Sequence, residues 1–68
     1  MMYDSQGNKM YEVSFLKNGI YQSNIVKTKK SPVDIGLWYK ENKPDASIID
    51  ISIATLDSIK PGKPTIII

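Results

Sequence analysis

Residues 31–54, SPVDIGLWYKENKPDASIIDISIA, decide the fold, because they read as a capped helix, a stop and then a strand. Ser31 suits the helix N-cap, and Pro32 suits the first helical position, where a missing N–H costs nothing. Asp34 stands where a carboxylate completes a reciprocal cap and favours the positive end of the helix dipole. The helix is predicted to run to about Asn42. Lys40 and Lys43 fall near its C-terminus, where cations are favoured, and Pro44 ends it. From Ala46 the period changes to two, with Ile49, Ile51 and Ile53 predicted on one face and Ile48, Asp50, Ser52 and Ala54 on the other.

Upstream, Tyr11, Val13 and Phe15 alternate with Glu12 and Ser14, the pattern of a half-buried strand. Asn18-Gly19 then signals a hairpin, with Ile20 to Thr28 as the returning strand. A two-residue loop sets Phe15 opposite Gln22 and Val13 opposite Asn24. A three-residue loop, Lys17-Asn18-Gly19, sets Phe15 opposite Tyr21 and Tyr11 opposite Ile25. The second gathers the large apolar groups on one face and is the preferred register. Downstream, residues 55–60 read as a short connector or a single helical turn, 61–64 as a rigid turn, and 65–68 (TIII) as a final short strand. The expected fold class is therefore α+β. It is a small two-layer ββαβ(β) domain, one helix on one face of a three- to four-stranded mixed sheet with an N-terminal hairpin. If the third strand lies beside the first, the tail strand takes an outer edge. Residues 1–9 have the composition of a flexible tail, which leaves 10–68 as the single domain, and Met10 is a second candidate start.

Composition narrows the chemistry. A chain of 68 residues has no Cys for a disulfide framework and no His for a zinc-type site. Its carboxylates, Asp4, Glu12, Asp34, Glu41, Asp45, Asp50 and Asp57, are spread singly, without the spacing of a calcium loop. No cofactor or metal is therefore expected. Without His or Cys, and with serines in no nucleophile motif, the reading is of a protein that is not an enzyme. Pro61-Gly62-Lys63-Pro64 lacks the spacing of a phosphate loop. No apolar run approaches the length of a membrane span, and residues 1–10 do not resemble a signal peptide, so a soluble cytoplasmic protein without membrane attachment is expected. All nine basic residues are Lys, and eleven residues are Ile, a bias that suggests AT-rich coding DNA from a low-GC bacterium, its phage or a mobile element.

Three surfaces remain as candidates for binding. On the helix, Ile35, Trp38 and Tyr39 share the larger apolar side and are predicted in the core. Val33 and Leu37 are left on the opposite side beside Gly36, as a binding surface unless a neighbouring segment covers them. In the tail, Ile66, Ile67 and Ile68 cannot all face one core, since successive side chains alternate. That edge is predicted to meet a partner, through a homodimer or a hetero-complex, or else to be covered by the connector. Lys27, Lys29 and Lys30, with Lys17 at the hairpin tip, form a weakly positive end that serves either as a solvated loop or as a nucleic-acid contact. The net charge is only +2 and there is no Arg for bidentate recognition, so such a contact is expected to be weak and electrostatic. The leading functional expectation is a small non-catalytic protein-binding module. It would act as a stoichiometric inhibitor or adaptor of the anti-defence or anti-CRISPR type. The alternative is a weak nucleic-acid-binding accessory protein using the hairpin lysines.

Overall fold

The reciprocal cap at Ser31 forms as its sequence requires. In the computed structural model, which describes residues 7–55 and 63–68, the Ser31 backbone N–H donates to Asp34 Oδ2 at 3.2 Å. The Asp34 N–H in turn donates to Ser31 Oγ at 3.4 Å. Pro32 opens helix α1 (Pro32–Asn42), and the Lys43 N–H closes it by donating to the Tyr39 carbonyl at 2.7 Å. Pro44 follows and cannot continue the ladder. Among the described residues four strands accompany the helix: β1 (Lys9–Lys17), β2 (Ile20–Thr28), β3 (Ala46–Ile53) and β4 (Thr65–Ile67). They form one mixed sheet in the order β3-β1-β2-β4. β1 is antiparallel to β2 and to β3, and β4 runs parallel to β2. α1 thus carries the chain from β2 over β1 to β3, and the architecture is the one-helix, mixed-sheet α+β domain expected.

The hairpin takes the other of the two registers. Phe15 faces Gln22 and Val13 faces Asn24, which makes Asn18-Gly19 a two-residue loop. Asn18 has φ 53° and Gly19 φ 75°, the paired positive angles that match the right-handed twist of the flanking strands. Turn geometry therefore outweighs the gathering of large apolar groups, and Tyr21 goes to the face away from the helix. A Cβ at Gly19 would meet nothing within 4 Å, so the backbone angle alone penalises a side chain there. Gly19→Val is expected to lower stability by roughly 1–2 kcal/mol, and Asn18→Asp to be tolerated. Denaturant midpoints of the two variants check this.

The second departure lies in β3. Ser14 pairs with Asp50 but Phe15 with Ile48, so a bulge at Ile49 breaks the alternation. Ile48 and Ile51, three residues apart, both pack against the core, while Ile49 and Ile53 are exposed. That corrects the expected division at Ile48 and Ile49, whereas Ile51 and Ile53, opposite Val13 and Tyr11, share one face as expected. The bulge lets two β-branched side chains of an edge strand reach under one helix. The core on the helix face consists of Tyr11, Val13, Phe15, Val26, Ile35 and Tyr39, with Trp38, Ile66 and Ile68 packed around it. A smaller cluster of Met10, Ile25 and Ala54 lies on the far face. There the ammonium of Lys63, just before β4, meets Glu12 Oε2 at 2.6 Å, tying that segment back to β1. The expected connector and turn fall largely on 56–62, outside the described residues, as does most of the expected tail. Of that tail, Lys9 already belongs to β1 and Asn8 is buried.

Candidate functional site

Polar groups inside the helix-face core are few and paired. Asn24, on β2, is buried among apolar neighbours, and its Nδ2 donates to the Tyr39 hydroxyl at 3.0 Å. Burial pushes the Tyr39 phenol above the ordinary tyrosine value, and the Asn24 hydrogen bond draws it part of the way back. Beside this pair a cavity of about 250 Å³ opens toward the hairpin end, with Phe15, Ala46 and Ile66 on its walls and Lys17 and Lys43 at its margin. Lys17 reaches Asp45 Oδ2 at 3.5 Å, so part of its charge is answered within the chain. Among the described residues there is no group of three or more side chains able to hold a metal ion, and no helix is long and apolar enough to cross a membrane.

The helix presents its second apolar side outward. Val33 is 73% exposed and Leu37, one turn further on, is 54% exposed, whereas Ile35 and Tyr39 are fully buried. Residues four apart lie one above the other on a helix, so the two form a short apolar ridge facing away from the sheet. The three C-terminal isoleucines divide by direction. Ile66 and Ile68 pack on the chain's own core, and Ile67, 73% exposed, points from β4 to the far face. The ridge and Ile67 therefore lie on opposite layers of the domain and do not form one surface.

The lysines are also separated. Lys17 ends β1 at the turn, whereas Lys27 lies near the end of β2 and Lys29 and Lys30 just beyond it, the full length of the hairpin away. That span is on the order of 25 Å at the usual strand rise. The expected positive end thus reduces to Lys29 and Lys30, both exposed, with half-buried Lys27 on the far face opposite Met10.

Two apolar surfaces escape the sequence reading. Leu16 and Tyr21 face each other across the hairpin on the far face, with Tyr21 64% exposed. Reading Asn18-Gly19 as a two-residue loop is the signal that would have placed them there. Ile49 and Ile53 are exposed along β3, whose outer edge has no strand beside it among the described residues. Compared with protein-family models, curated proteins and solved structures, the chain has no match.

Proposed function

We propose that this chain is a non-catalytic protein-binding module that works by occupancy, as a stoichiometric inhibitor or adaptor in the cytoplasm. The observation that carries the reading is the Val33–Leu37 ridge. Two large aliphatic side chains stand in solvent one turn apart, on a helix whose other side is anchored in the core. A helix held in this way offers anchors at the spacing that hydrophobic grooves of partner proteins accept. Exposed apolar pairs of this kind on so small a surface favour an interaction role over a structural one. The bias toward Ile and Lys extends the proposal to a protein of a low-GC bacterium, its phage or a mobile element, with a host defence nuclease as the sharpest candidate target.

The test uses the tagged full chain beside the double variant Val33→Asp, Leu37→Asp. Both positions are exposed, so the variant is expected to keep its melting midpoint, since surface substitutions usually change stability by no more than about 0.5 kcal/mol. The wild type is expected to capture a stoichiometric protein partner that the variant loses. Recovery of the same partner by both forms, or of nucleic acid alone in a nuclease-sensitive manner, would overturn the reading.

A further inference from the structure

β3 is an edge strand of eight residues, Ala46–Ile53, with no lysine or proline to blunt it. Its sequence, ASIIDISI, is nearly the same read from either end in residue character. Ala46 answers Ile53, Ser47 answers Ser52, and Ile48 answers Ile51 about a centre between Ile49 and Asp50. In a regular strand the members of each such pair point to opposite faces, because each pair is separated by an odd number of positions. The bulge at Ile49 changes this. Ile48 and Ile51 lie opposite Phe15 and Val13, Ala46 and Ile53 opposite Lys17 and Tyr11, all on the helix face. Ser47 and Ser52 lie opposite Leu16 and Glu12, both on the far face.

An antiparallel pair related by a two-fold axis perpendicular to the sheet keeps each face on its own side. Directly opposed residues in such a pair must share a face. Paired over its full length, the bulged β3 meets both conditions with itself in one register, the one in which Ile48 faces Ile51 of the second copy and Ser47 faces Ser52. Shifting the register by one residue in one direction sets Asp50 directly against Asp50, a like-charge opposition that destabilises the ladder. Shifting it in the other direction sets Ile48 against Asp50. β4, expected on sequence grounds to meet a second copy or another partner unless the connector covers it, is the weaker edge: it has three residues, and Ile66 is already committed to the core.

We propose that the occupant of the β3 edge is β3 of a second copy, joined antiparallel through the Ile48–Ile51 and Ser47–Ser52 pairings into one sheet running through both chains. The helices of the two copies then lie on the same side of that sheet. The Val33–Leu37 ridges, on the outer sides of those helices, stay clear of the junction.

The chain's lack of cysteine makes the register directly testable. The full-length chain is expected to sediment as a dimer at millimolar concentration. Ser47→Cys and Ser52→Cys, both at exposed positions, are prepared separately, mixed and oxidised. The mixture is expected to yield about tenfold more disulfide-linked dimer than either variant alone, because like positions lie roughly 15 Å apart along the ladder, beyond the approximately 7 Å limit for a disulfide. Ile49→Lys, which sets an ammonium opposite Asp50 of the second copy, is expected to tighten association. A chain that stays monomeric at millimolar concentration, a mixture no better linked than the single variants, or weaker association by Ile49→Lys would each overturn the proposal.

Discussion

Tyr39→Ala is expected to leave a chain that is largely unfolded at room temperature, as read by loss of the near-ultraviolet signal of Trp38 and by the absence of a cooperative denaturant transition. Tyr39 is fully buried, and its ring joins the two layers. Its centroid lies 6.0 Å from that of Phe15 on β1, and the Trp38 ring meets it edge-on at 5.3 Å. Removing a buried aromatic ring costs about 3–5 kcal/mol. A domain of this length has only about 3–10 kcal/mol in all. The substitution also leaves the Asn24 amide buried without its partner. Tyr39→Phe isolates that second effect. It keeps the ring, loses the hydroxyl that accepts from Asn24, and is expected to cost about 1–3 kcal/mol while the chain still folds. The same pair gives a pH dependence with a definite sign. The folded-state phenol is held above its ordinary value, so its contribution is complete below about pH 10 and is lost as the pH rises through the folded value. Tyr39→Phe is expected to lose stability less steeply in that alkaline range.

What the sequence makes legible follows the range of the interactions involved. The start of α1 depends on residues three apart, Ser31 and Asp34, and its end on Pro44, so both can be read from the chain directly. The burial of Ile35 and Tyr39, with Val33 and Leu37 left outside, follows from helical spacing once one sheet is known to lie beneath. The hairpin register is just as local, but there two rules conflict. The positive angles at Asn18 and Gly19 decide it, against the apolar matching that favoured Tyr21 in the core. The bulge at Ile49 carries no sequence signal. Its strict alternation reads as a regular strand, and only the pairing with β1 shows which isoleucines turn inward. The candidate surfaces are legible to the same extent. The helical ridge depends on one element, whereas the division of Ile66, Ile67 and Ile68 depends on β4 lying parallel to β2, a pairing about 40 residues distant in the chain.

That pairing sets the other large effect. Removing Ile66, Ile67 and Ile68 together is expected to lower the thermal midpoint by about 10–30 °C, through the fold itself rather than through a lost partner. Ile66 and Ile68 pack on the core beside Val26, and the Ile68 N–H donates to the Lys27 carbonyl at 3.0 Å. At the upper end of the ladder, the Ile25 N–H donates to the Pro64 carbonyl at 2.9 Å, so the truncation strips β2 of most of its neighbour. Full burial of one Ile is worth about 1.5–3 kcal/mol. Both side chains remain partly exposed, which reduces the pair to about 2–4 kcal/mol, and each kcal/mol corresponds to roughly 4–8 °C in a domain of this size. Ile67 separates this effect from binding. It is exposed on the far face, so Ile67→Lys is expected to shift stability by no more than about 0.5 kcal/mol. Scanning calorimetry of the truncated chain and of Ile67→Lys reads both outcomes. A midpoint preserved by the truncation would mean that β4 is not held against β2. A large loss from Ile67→Lys would mean instead that the strand is turned the other way, with Ile67 on the core.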